Sequence, residues 1–241
     1  MHGRMWFEGN PWSEGHRIRT FEWVWGLDEQ GALWFDPLLI TRNYDAERMP
    51  PEPPDSDDKR EWDSPELWSG YVGCLMEPLD YHGFPVATPG SPFSLTAAEP
   101  RVLTLDPLPE PPNTRHAFQL QLLGHDTCAD HRFVVTRQPD GRHRIDWTAR
   151  IALVYAGDEE YKYAFRAELH DCVPLHVTYP SEMRPDEAHE ALAAVVDVPE
   201  RFVPAVAHTR PVLSYARPIS APPARRWPWR SLGARRRPRS G

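Results

Sequence analysis

The signatures of the commonest enzymes are missing from these 241 residues. There is no Gly-rich phosphate loop, no Gly-x-Ser-x-Gly elbow, no His-Glu-x-x-His and no Cys-x-x-Cys, so the usual P-loop, α/β-hydrolase, zincin and thioredoxin-type chemistries have no foothold. Cysteine is scarce: Cys74, Cys128 and Cys172 are odd in number and widely spaced, which is neither a disulfide framework nor a zinc pattern. A reducing compartment is expected. Apolar runs are short, none approaching the roughly 18 residues of a spanning helix. The first fifteen residues carry Glu8, Pro11 and Glu14 rather than a leader-type apolar core, so a cytoplasmic setting is expected. Glycine is modest at 14 while proline reaches 28, and a chain so rich in proline cannot be helical throughout.

Acid predominates, but unevenly. Residues 217–241 hold eight of the 27 basic residues and no acid, which leaves 19 basic against 35 acidic residues over 1–216. The body is near −16 and the tail near +8. Such a body repels nucleic acid and anionic lipid and would steer a basic partner toward itself, whereas the tail suits a polyanion.

Hydrophobic periodicity points to strands. Arg17–Leu27 and Ala32–Thr41 are apolar runs joined by Asp28-Glu29-Gln30-Gly31, a hairpin in which Phe21, Trp23 and Trp25 share one face. Pro37 in the second run argues for an edge or a bulge. Leu67–Met76, Phe84–Ala87 and Val102–Leu105 read as short strands. From His116 to Leu169 the alternation is strong: Phe118, Leu120 and Leu122, then His131–Arg137, then Ile145 through Tyr155, then Tyr161 through Leu169. One wet face and one apolar face predict a four-stranded antiparallel meander. Pro185–Val196 is the one strong helix, with proline at its first position followed by Asp186 and Glu187. Asp45–Glu66, with nine acids and five prolines, reads as a solvated loop, with a calcium site as the sharper alternative. The fold expected is mainly β, an antiparallel two-layer sandwich over 1–215 with one C-terminal helix, followed by a disordered Arg/Pro/Trp tail over 216–241.

The densest set of reactive side chains is Gly124 to His131. A loop there would gather His125, Asp126, Asp130 and His131, two imidazoles and two carboxylates that suit zinc, iron or manganese. Cys128 near His125 also allows an activated thiol. His170, Asp171 and His176 make a looser cluster. Eight tryptophans lie in the body (Trp6, Trp12, Trp23, Trp25, Trp34, Trp62, Trp68 and Trp147), as bulky core or as a row of exposed rings for a sugar or a protein partner. The tail stretch Arg225-Arg226-Trp227-Pro228-Trp229-Arg230 is similar to Trp/Arg-rich membrane-active peptides and would contact anionic membrane or nucleic acid.

Leu122-Leu123-Gly124-His125-Asp126, Ala129-Asp130-His131-Arg132 and Ile145-Asp146-Trp147-Thr148, together with Phe7-Glu8-Gly9-Asn10-Pro11-Trp12, resemble a group of bacterial proteins with no assigned activity, over about the first 170 residues. That resemblance implies a bacterial cytosolic setting and no mechanism. The expected function is a non-enzymatic interaction domain of adaptor or immunity type, needing no cofactor, whose acidic surface meets a basic protein. The alternative is a hydrolase in which a divalent transition metal on His125, Asp126, Asp130 and His131 activates water.

Overall fold

The computed structural model describes residues 2–48, 50–51, 61–79, 83–109 and 116–216. The basic tail from Arg217 onward and the acidic stretch 52–60 lie outside the described residues, and so do the expectations that fall on them.

The expected hairpin is present as β2 (His16–Leu27) and β3 (Leu33–Thr41), paired antiparallel from Ile18↔Thr41 to Leu27↔Leu33. Its turn is built by Asp28, whose Oδ1 accepts the N–H groups of Gln30 at 2.9 Å and Ala32 at 2.8 Å, while Gly31 takes φ +75°. Alternation places Phe21, Trp23, Trp25, Leu33, Phe35 and Leu39 inside. The meander is present too, as β7 (Phe118–Gln121), β8 (His125–Arg137), β9 (His143–Ala152) and β10 (Tyr163–Cys172).

These two units do not form the two layers of a sandwich. β1 (His2–Phe7) pairs with β2 on one side and with β10 on the other, and β4 (Leu75–Pro78) bridges β3 to β7. The circuit β1-β2-β3-β4-β7-β8-β9-β10 returns to β1 with every neighbour antiparallel, so the domain is a closed eight-stranded barrel. The sandwich expectation is therefore corrected: alternation demands one buried face and one wet face, and a sheet curled onto itself meets that demand as well as two stacked sheets do.

Additional strands fork from the barrel. β5 (Phe84–Ala87) pairs with β3 at Leu33–Phe35, and β6 (Arg101–Leu105) pairs with β8 at His131–Val135. Pro37 falls between the segments of β3 that pair with β4 and β5, a gap in the ladder where a missing N–H costs nothing. Beyond Val24–Gly26, β2 accepts β11 (His176–Thr178) in parallel, followed by β13 (Arg210–Tyr215) and β12 (Phe202–Ala207). Among the described strands β12 is the outer edge of this flap.

The predicted helix is α2 (Pro185–Ala193), with the Arg184 N–H donating to Glu187 Oε2 at 2.9 Å and with Ala188 and Leu192 buried. Its C-terminal exit is tied down by Asp197, whose carboxylate accepts the N–H groups of Leu95 at 2.8 Å and Thr96 at 3.0 Å. The expected strand Leu67–Met76 is only partly right. Ser64-Pro65-Glu66 is a helix-start signal, and it opens α1 (Pro65–Ser69), leaving Leu75 and Met76 to β4. Within the acid-rich stretch read as a loop, Trp62 is buried at 3% exposure, its ring 4.9 Å from both Trp68 and Tyr163. Tyr155 corrects the long alternating run: β9 ends at Ala152, a 3-10 turn follows, and Tyr155 is exposed.

Candidate functional site

The residues expected to hold a metal do not sit in a loop. They belong to the first half of β8, and a bulge divides them. Asp126 and Cys128 point inward; between Ala129 and Arg132 the register shifts, Asp130 takes φ +54°, and from His131 onward the odd-numbered residues point inward. Asp126 and His131 are both buried but lie five residues apart on opposite sides of the bulge. His125 and Asp130 are exposed on the other side. Among the described residues no group of three or more His, Cys, Asp or Glu is placed to hold a metal ion.

Asp126, Asp130 and His131 have local structural roles instead. Asp126 accepts the N–H of Leu123 at 3.2 Å and of Tyr155 at 3.3 Å, and burial pushes its carboxyl above the usual range. The Asp130 N–H donates to the Asp106 carbonyl at 2.6 Å. His131 lies among Phe118, Phe133, Trp147 and Phe165, and burial pushes its pKa down to about 3, so the ring stays neutral. The thiol of Cys128 is buried and pushed up by desolvation, the opposite of an activated nucleophile, and His125 is on the other face of the strand. Cys74 and Cys172 are shifted the same way, Cys172 to about 12. Of the looser cluster, Asp171 pairs with Arg142 at 3.4 Å, while His176 opens β11.

Aromatic rings fill the barrel. Trp147 stacks on Phe133 at 4.4 Å, Phe118 lies 5.0 Å away, and Phe35, Phe84 and Trp23 continue the cluster. A second cluster encloses His16, fully buried under Trp12, Tyr44 and Trp68, with Nδ1 3.1 Å from Glu47 Oε2 and Nε2 2.7 Å from Asn10 Nδ2. Burial raises the Glu47 carboxyl, but its hydrogen bonds with His16 and the Arg17 N–H outweigh that and hold it below the usual range. Of the body tryptophans, Trp12, Trp23, Trp25, Trp62, Trp68 and Trp147 are buried, so the core reading applies to them.

With the barrel filled by side chains, clefts are found on its exterior. A cleft of about 830 Å³ lies at the tip of the β2–β3 hairpin against the flap. Asp28, Glu29, Asp36, Trp34 and Tyr179 line it, with Arg210 as the one cation among the described lining residues. Trp34 is positioned by its own N–H, which donates to Asp28 Oδ2 at 2.8 Å. The Tyr179 hydroxyl is buried without a hydrogen-bond partner among the described residues. The period of two along β3 puts Trp34 and Asp36 on the face opposite Leu33 and Phe35, a signal in the sequence that could have found them. Tyr179 had no such signal, because it arrives from a strand 150 residues away through the parallel β11–β2 pairing.

No helix among the described residues is long and apolar enough to cross a membrane. No protein-family model, curated protein or solved structure matches the chain.

Proposed function

We propose that the protein is a non-enzymatic interaction domain whose hairpin-tip cleft receives a basic segment of a protein partner. The observation that carries this reading is the make-up of that cleft: three carboxylates, Asp28, Glu29 and Asp36, beside two aromatic rings, Trp34 and Tyr179. Guanidinium and ammonium groups bind carboxylates by charge-assisted hydrogen bonds and stack on such rings. The body charge near −16 favours encounter with a basic partner and gives the association its salt dependence. A bacterial adaptor or immunity role in the cytoplasm accords with this chemistry and needs no cofactor.

A fluorescent hexa-arginine peptide tests it, with binding to the full chain followed by anisotropy. Glu29→Lys/Asp36→Lys should weaken binding by about tenfold or more, a change of roughly 1.4 kcal/mol. The equally charged control Glu159→Lys/Glu182→Lys should not. Equal losses in both would show that the peptide reads net charge alone and would end the assignment to this cleft.

A further inference from the structure

At the opposite end of the same hairpin the charge reverses. Two adjoining clefts, of about 700 and 530 Å³, cross the outer face of β1 and β2. Arg4, Arg17 and Arg42 line both, Arg48 extends the first and Arg19 the second. These five guanidiniums come from β1, β2, the exit of β3 and the turn beyond it, so the barrel pairing and not local sequence brings them together.

Their surroundings leave most of that charge unmatched. Arg17, Arg19, Arg42 and Arg48 are exposed, and none has a carboxylate within ion-pair distance among the described residues. In contrast, Arg142, Arg144, Arg166 and Arg184 each have one. Glu14, Glu47 and Glu168 also line the clefts, but Glu47 is engaged by His16 and the Arg17 N–H, and Glu168 by Arg144 and Arg166. Arg4 is held in place by donating to the carbonyl oxygens of Glu14 at 2.6 Å and Gly15 at 3.0 Å, groups that orient it without neutralising it. Clustered guanidiniums without carboxylate partners repel one another, and a bound oxyanion would relieve that repulsion, since the planar guanidinium matches phosphate bidentately.

The first cleft also borders a donor unsatisfied among the described residues, as the Trp23 and Trp62 indoles are elsewhere in the core. Trp12, only 6% exposed, lines the first cleft, and its buried indole N–H has no acceptor among the described residues. A buried donor without an acceptor costs about 1–3 kcal/mol.

We propose that these adjoining clefts form a binding site for a small ligand carrying two or more phosphate groups, held by Arg4, Arg17, Arg19, Arg42 and Arg48. A compact anion keeps its charge within the arginine cluster. A long nucleic-acid strand would run on past a surface near −16 and be repelled there. The site is separate from the hairpin-tip cleft and stands whether or not that cleft binds a basic partner.

Calorimetric titration of the full chain with sodium triphosphate in low-salt buffer tests the proposal. Wild type should bind, and Arg17→Gln/Arg42→Gln should weaken binding by about tenfold or more with an unchanged circular-dichroism spectrum. Arg101→Gln/Arg132→Gln, which removes the same charge from the distant β6–β8 face, should bind as wild type does. The basic tail is present in all three proteins and cancels from the comparison. A nucleoside triphosphate binding as well as the inorganic salt, or better, supports the site and separates a nucleotide from a bare polyphosphate as the source of the phosphates. No binding by wild type, an equal loss in both double variants, or an oligothymidylate binding more tightly than either triphosphate overturns the proposal.

Discussion

The indole N–H of Trp147 donates to Nδ1 of His131 at 3.1 Å, with both side chains inside the barrel. This bond fixes the tautomer: a neutral ring that accepts at Nδ1 carries its proton on Nε2, on the side where Asp106 Oδ2 lies 3.8 Å away.

Neutral burial of His131 makes the fold acid-sensitive. Its folded pKa of about 3 is below the ordinary value of about 6.5, so the unfolded chain takes up a proton that the folded one excludes. Stability therefore falls as pH drops from about 6.5 toward 3, at up to about 1.4 kcal/mol per pH unit. His143 is displaced in the same direction by burial and adds to the slope. In urea unfolding followed from pH 7 to pH 4, His131→Leu should flatten the dependence while costing about 1–3 kcal/mol at pH 7, because Trp147 loses its acceptor. An undiminished slope in the variant would contradict the assignment.

Asp197 also loses its contribution on acidification, but through hydrogen bonding rather than burial. Burial raises its carboxyl, but hydrogen bonds from Ser94, Thr96 and the Leu95 and Thr96 N–H groups outweigh this and hold it below the ordinary range. Its contribution is present above about pH 4 and is lost as pH falls through the lowered value. Asp197→Ala should cost about 1–2 kcal/mol at pH 7, moderated because one side of the carboxylate is in water, and should cost much less at pH 3. Thermal melts at the two pH values compare them; an equal loss at both would mean that the carboxylate charge is not what ties the loop to α2.

Two glycines with similar backbone angles should respond very differently to alanine. Gly141, at φ +81° in the turn after β8, has open space where a Cβ would stand, so Gly141→Ala should cost only the left-handed penalty of roughly 1 kcal/mol. Gly83, at φ +67°, packs on the backbone of β3, and an added Cβ would overlap the Phe35 carbonyl oxygen. Gly83→Ala should cost about 3 kcal/mol or more by forcing β5 away from β3. Comparable denaturant midpoints for the two variants would show that β5 docks loosely.

What the sequence made legible was whatever two neighbouring strands could decide between themselves. The β2–β3 hairpin and the β7–β10 meander follow from alternation and turn residues, and α2 from Pro185 and the acids after it. Closure was not legible, because it rests on β1 meeting β10 some 160 residues later, and nothing in His2–Phe7 names its partner. The β8 bulge was misread for a related reason. A shift in the period of two looks like the end of a strand, so residues 124–131 read as a loop, and residues from opposite faces seemed to converge. The arginine clefts were hidden in the same way: Arg4, Arg17, Arg19, Arg42 and Arg48 look scattered along a chain whose balance is acidic, and only barrel pairing gathers them.

A closed barrel offers no edge for another chain to extend, so among the described strands the open edges belong to those that leave it: β5, β6 and the flap. The flap's outer strand β12 carries Val203 and Val206 in water, at 46% and 76% exposure, an apolar edge of the type that templates aggregation. Pro204 stands between them and supplies no N–H, so any ladder begun on this six-residue edge lacks a rung near its start.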